Sequence, residues 1–169
     1  MCNAVYGYNG WLGMATIGID SNGHIDRGTA KVNDSYGWYW DDQEEKNHVM
    51  CQEVGHLFGL GHTSVDGTSQ GTCMDYSSHP DSEWPNEHDY EQLADIYADL
   101  DSYNSYDDGT DDSTTDICNE PPGKGCNKNN GAVPMGVLLH SDHGHEIWAA
   151  SRKDGGVWLH HVRLAPDDQ

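Results

Sequence analysis

Positive charge is what this sequence lacks most. Eight lysines and arginines stand against 29 aspartates and glutamates, for a formal net charge of -21. Gripping nucleic acid or an anionic membrane takes clustered Lys and Arg facing phosphates, so neither partner is expected. The acidic surplus suits solubility in saline surroundings, attraction of divalent cations, or cationic substrates. No run approaches the roughly 18 to 20 apolar residues that span a bilayer. Met1-Cys2-Asn3-Ala4 opens the chain without the basic and apolar regions of a signal peptide. Also missing is any CxxC pair among Cys2, Cys51, Cys73, Cys118 and Cys126, which argues against a zinc knuckle. Scattered cysteines fit disulfides in an exported, extracellular protein. Cys118 and Cys126 flank a Pro-Pro-Gly-Lys-Gly loop that a bridge can close, and two of the remaining three can pair.

What is present is a mixed pattern of short strands and two helices. Trp11 to Ile19 alternates apolar with small residues, as a half-buried strand does. The Asp20-Ser21-Asn22-Gly23 turn follows, then a weaker alternation from Ile25 to Asn33. From Gln43 to Leu57 the pattern is helical, with acids at its start and Gly59 and Gly61 beyond its end. A second helix is expected over Glu87 to Leu100, with Tyr90, Leu93, Ile96, Tyr97 and Leu100 as one buried stripe. Residues 101–116 are acidic and low in complexity and read as a solvated linker. Their carboxylates also make them a candidate for Ca2+, although the spacing is not that of an EF-hand. Val133 to Leu139, Glu146 to Arg152 and Val157 to Leu164 read as three strands, turning at His143-Gly144 and Asp154-Gly155-Gly156. The expected division is a core at 1–101, an acidic, Gly/Asn-rich linker at 102–131 and a small β appendage at 132–169. The appendage histidines, His140, His143, His145, His160 and His161, lie near Asp142 and Glu146 and could hold a second metal, but no spacing among them is diagnostic and an exposed polar surface is the expectation.

The chemistry concentrates in Gln52-Glu53-Val54-Gly55-His56-Leu57-Phe58-Gly59-Leu60-Gly61-His62. On a helix, residues 52, 53 and 56 share one face. Ligands one turn apart can reach one cation, while the acid beside them approaches a water. A continuous helix would carry residue 62 about 9 Å beyond residue 56, so the glycine break is what allows His62 to return. His48 lies about 12 Å of helix rise from His56, too far to share a metal, and is read as a surface or supporting residue.

This run resembles the metzincin signature, H-E-x-x-H-x-x-G-x-x-H followed by a Met-turn. Glu53, His56, Gly59 and His62 match, and Thr72-Cys73-Met74-Asp75-Tyr76 is similar to the Met-turn. The resemblance implies an α+β fold with a twisted, mostly parallel sheet, an active-site helix and a C-terminal helix. It makes Met74 an apolar floor beneath the metal, Tyr76 a donor to the oxyanion and residues 23–33 an edge strand for substrate. It implies Zn2+ as cofactor and a protein or peptide as substrate, with Glu53 as general base. Two departures stand out. The family carries more chain ahead of its active-site helix than is present here, and Gln52 occupies the position of the first ligand histidine. A neutral amide oxygen can reach a metal but binds zinc more weakly than imidazole. The expected ligand set is therefore Gln52, His56 and His62, at reduced affinity, the alternative being that Gln52 is a helix residue hydrogen-bonded near an empty site. The competing expectations are a catalytically silent module on the same fold, and a non-peptidase binding protein whose acidic segment takes calcium.

Overall fold

A computed structural model describes residues 2–41, 43–99 and 133–166. It is a mixed α+β fold. The strands are β1 (Cys2–Ala4), β2 (Trp11–Ile19), β3 (Ile25–Asn33), β4 (Val137–Asp142), β5 (His145–Ser151) and β6 (Val157–Leu164). The helices are α1 (Gln43–Leu57) and α2 (Glu87–Ile96). All six strands form one sheet in the order β1-β3-β2-β6-β5-β4.

That order corrects the expectation of a mostly parallel sheet. Only β1 and β3 run parallel, and every other neighbouring pair is antiparallel. Short turns join β2 to β3, β4 to β5 and β5 to β6, and a two- to five-residue turn can only reverse a strand. The sheet also absorbs the expected appendage. β6 pairs with β2 from Trp11↔Leu164 to Ile19↔Val157, so the strands of 132–169 continue the sheet that begins at the N-terminus. β1 covers only Lys31–Asn33 of β3, so residues 25–30 keep an open edge among the described residues and the expected edge strand is formed in part.

Helix α1 crosses β2 and β3 closely because small residues face it. A Cβ at Gly13 would come within 2.5 Å of Glu53 Oε1 and 2.6 Å of Val49 Cγ1, and one at Gly28 within 2.9 Å of Leu57 Cδ2. The sheet side of this contact contributes Leu12, Ala15, Ile17, Ala30 and Val32, all buried. Arg152 pins the β5–β6 end to β3. Its guanidinium reaches both carboxylate oxygens of Asp26 at 2.7 Å, and the two side chains are 6% and 10% exposed. Asp154 also pairs with this guanidinium at 2.5 Å, so Asp26→Ala leaves Arg152 one carboxylate and lowers stability by about 1 kcal/mol, read as a shift in the denaturation midpoint.

The expected buried stripe on α2 is not formed among the described residues. Tyr90, Ile96 and Tyr97 are 59%, 49% and 52% exposed, and α2 ends at Ile96 with Tyr97 as its cap. Only Leu93 packs inward, against Leu60, Cys73 and Met74. Leu100, the acidic linker, the calcium candidate and the Cys118–Cys126 bridge lie outside the described residues. No described helix is long and apolar enough to cross a membrane.

Candidate metal centre

The centre is assembled where α1 stops. Gly59, at φ +87°, takes the left-handed conformation that closes a helix. Its N–H bonds the carbonyl of His56 at 3.0 Å, and the N–H of Leu60 bonds that of Gly55 at 3.2 Å, the paired bonds of a Schellman close. The same turn brings the Leu60 carbonyl to 2.8 Å from Nδ1 of His56. An acceptor there requires Nδ1 to carry the proton, which leaves the Nε2 lone pair of His56 free. A metal-binding histidine is commonly oriented by such a bond to a backbone carbonyl.

Past the glycines the chain returns as expected. The Thr63 N–H bonds the Met74 carbonyl at 2.9 Å, which holds the stretch carrying His62 against the Met-turn. The rings of His56 and His62 lie 4.6 Å apart at 86°. Nδ1 of His62 meets the Tyr76 hydroxyl at 3.1 Å, and its Nε2 is buried with no hydrogen-bond partner. Met74 is fully buried and packs against Gly55, where a side chain would collide with its sulfur. It therefore packs against α1 at Gly55 and forms part of the core with Leu60 and Cys73.

The turn at residues 72–76, expected as a Met-turn, is fastened on several sides. Asp75, fully buried, accepts from the backbone N–H groups of Gln70 and Ser77 at 2.7 and 2.9 Å, and from the Ser82 hydroxyl at 3.1 Å. Thr72 donates to Asp89, which also closes the capping box at the start of α2. A disulfide joins Cys51 of α1 to Cys73 in the turn, settling which two of the three N-terminal cysteines pair. It closes a loop of 22 residues. The double variant Cys51→Ala, Cys73→Ala is expected to lose about 3 kcal/mol, measured by denaturant unfolding.

Gln52 is only 1% exposed and also serves this turn. Its amide nitrogen donates to the carbonyls of Cys73 and Asp75, at 3.1 and 2.9 Å, and its Oε1 is buried with no partner. Glu53, equally buried, points at β2 rather than into solvent. Its carboxylate takes a backbone hydrogen bond from Ala15, and Oε2 has no partner. Burial raises its pKa well above the usual carboxylate value, against the opposing pull of Arg163 and the Ala15 bond. His48 is 2% exposed, so it is no surface residue, and lies 3.8 Å from Glu45.

Three residues of this neighbourhood were not anticipated, and all come from the C-terminal strands. His161 of β6 stacks on His56, with ring centres 3.9 Å apart and 16° between planes. His145 of β5 stacks on Tyr76 at 3.6 Å. Arg163, 7% exposed, hydrogen-bonds His145 and pairs with Glu45 at 3.3 Å, while Tyr39 donates to the same Glu45 oxygen at 2.7 Å. His145, His160 and His161 are buried, not displayed on a polar surface as expected. The sequence carried one usable signal. In a strand, residues two apart share a face, so His161 and Arg163 belong together and His160 opposes them.

One nitrogen each from His56, His62 and His161 lie within 4.8 Å of one another. Burial is the main cause that brings His56 and His62 down to about 3 and His161 down to about 2, so all three are neutral at pH 7. Burial also raises Tyr76 to about 12, keeping the phenol protonated. Neutral imidazoles suit zinc and other late transition metals and not Ca2+, which takes oxygen donors. Known proteins add no relative: no protein family, curated protein or solved structure matches the chain.

Proposed function

We propose that the protein is a secreted, zinc-dependent endopeptidase of the metzincin type. The observation that carries this is the pairing of His56 and His62. Each ring already uses one nitrogen on the protein and keeps a second without a protein donor, one turn of helix from a buried carboxylate. The Schellman close before His62 and Met74 packed beneath α1 support the family resemblance. The Cys51–Cys73 disulfide supports an extracellular setting.

Zinc, when bound, supplies Lewis acidity that polarises the scissile carbonyl and acidifies the attacking water. Glu53 accepts the water proton and delivers it to the leaving amine, a role suited to a carboxyl whose pKa burial raises above the usual carboxylate value. Tyr76 acts through its contact with His62. If Nε2 of His62 faces the cation, Nδ1 carries the proton and donates to the phenol oxygen. The phenol proton is then free for the developing oxyanion. Gly13 leaves the space in which the Glu53 carboxylate lies.

A second reading, a catalytically silent module on the same frame, is favoured by one feature. β2, the strand beside Glu53, is paired on both edges, by β3 and by β6, so no peptide can add to it without displacing a strand. The two readings separate when zinc-loaded protein is incubated with an unfolded protein substrate. Cleavage that stops with Glu53→Ala supports the peptidase, whereas zinc binding with no cleavage supports the silent module. Cleavage that survives Glu53→Ala removes Glu53 from the role of base.

A further inference from the structure

A zinc centre built on His56 and His62 needs a third protein ligand. At position 52 the amide nitrogen is held by two carbonyls of the Met-turn, which leaves only Oε1, a neutral amide oxygen, to offer a metal. An imidazole is also the better zinc ligand.

We infer that His161, delivered by the last strand of the sheet, is the third metal ligand, and that Gln52 is a positioning residue for the Met-turn. The inference rests on reading His56 and His62 as a metal-binding pair. Three observations carry it. A nitrogen of His161 lies within 4.8 Å of nitrogens on both other histidines. Its Nδ1 is buried with no hydrogen-bond partner, an expensive arrangement for an imidazole that a bound cation relieves. Its place is fixed by strand register, since Ala15↔His161 puts it opposite the same part of β2 that bonds Glu53.

The neighbouring histidine supplies the contrast. His160 faces the other side of the sheet and uses both nitrogens, on the Thr16 hydroxyl at 2.9 Å and the Pro134 carbonyl at 3.0 Å. Adjacent histidines on one strand are thus divided between a satisfied structural role and an unsatisfied one. Tetrahedral zinc spaces nitrogen ligands about 3 to 4 Å apart, so the three imidazoles draw together slightly on loading. His161 and His56 also tip out of their stack, because parallel lone pairs do not converge. The consequence is a split motif: two ligands come from the end of α1 and the third from some hundred residues later, and the C-terminal strand is part of the centre.

The test is zinc affinity of the full chain, measured by competition with a chromophoric chelator. His161→Phe keeps a ring stacked on His56 but offers no donor. It is expected to weaken zinc binding by more than about 100-fold, beyond what loss of a merely supporting contact costs. His161→Ala is expected to match it, and Gln52→Ala, which loosens the turn but removes no imidazole, to weaken binding by less than His161→Phe does. Wild-type affinity in His161→Phe overturns the inference while leaving the metallopeptidase reading in place. A wild-type protein that binds no zinc sinks both. X-ray absorption at the zinc edge of the wild type gives a check without variants: three imidazoles support the assignment, and two with an amide oxygen overturn it.

Discussion

If the protein is the proposed zinc peptidase, Glu53→Gln is expected to abolish its hydrolysis of an unfolded protein while leaving zinc bound. General-base catalysis by a positioned side chain contributes about 10²- to 10⁴-fold, and the loss falls in that range. Glutamine is nearly isosteric and can still accept the Ala15 hydrogen bond, so the fold and the imidazoles are undisturbed. The expected signature is a fall in kcat with KM little changed, because the proton transfer belongs to the transition state and not to substrate binding. Comparable loss of zinc in this variant would mean that Glu53 holds the site together instead of acting on water.

The second large effect concerns acid. In the metal-free protein, His56 and His62 titrate near 3 and His161 near 2, chiefly because burial penalises the charged ring. In the unfolded chain they take up protons near pH 6.5. Below that pH the unfolded state binds protons that the folded state refuses, so stability falls as pH falls, over the window from about 6.5 toward 3. Each histidine contributes about 1.4 kcal/mol per pH unit across it. Glu53 works in the opposite sense. Its raised pKa favours the folded state at low pH, and that contribution is lost as pH rises through the folded value. Three histidines outweigh one carboxyl, so the chelator-treated protein unfolds between about pH 6 and 4. Denaturant midpoints measured from pH 7.5 to 4.5 check this, and a flat profile contradicts it.

Local features of this fold were readable from the chain alone. The bounds of α1, β2, β3 and β6 follow from periodicity, a glycine stop and turn residues, each a matter of a few neighbouring positions. The glycine break between His56 and His62 likewise predicts their approach. What failed depends on distant partners. Nothing near Val157 to Leu164 announces that this strand inserts beside β2, so its histidines read as surface, and the sheet order followed the family's pattern instead of the chain's own short turns. The apolar period of α2 predicts a buried face, but period reports only which residues share a face and not whether anything covers it. At position 52 the sequence shows a departure from histidine without showing its use. Its physical meaning appears only with the two carbonyls of the Met-turn in place.

The proposed function and the ligand assignment share one requirement, a cation held by the imidazoles at the end of α1. Elemental analysis of the full chain, prepared without chelator and equilibrated with zinc, tests it most directly. The account predicts about one zinc per chain, removed by His56→Ala. Zinc at background level in the folded wild-type protein would contradict it.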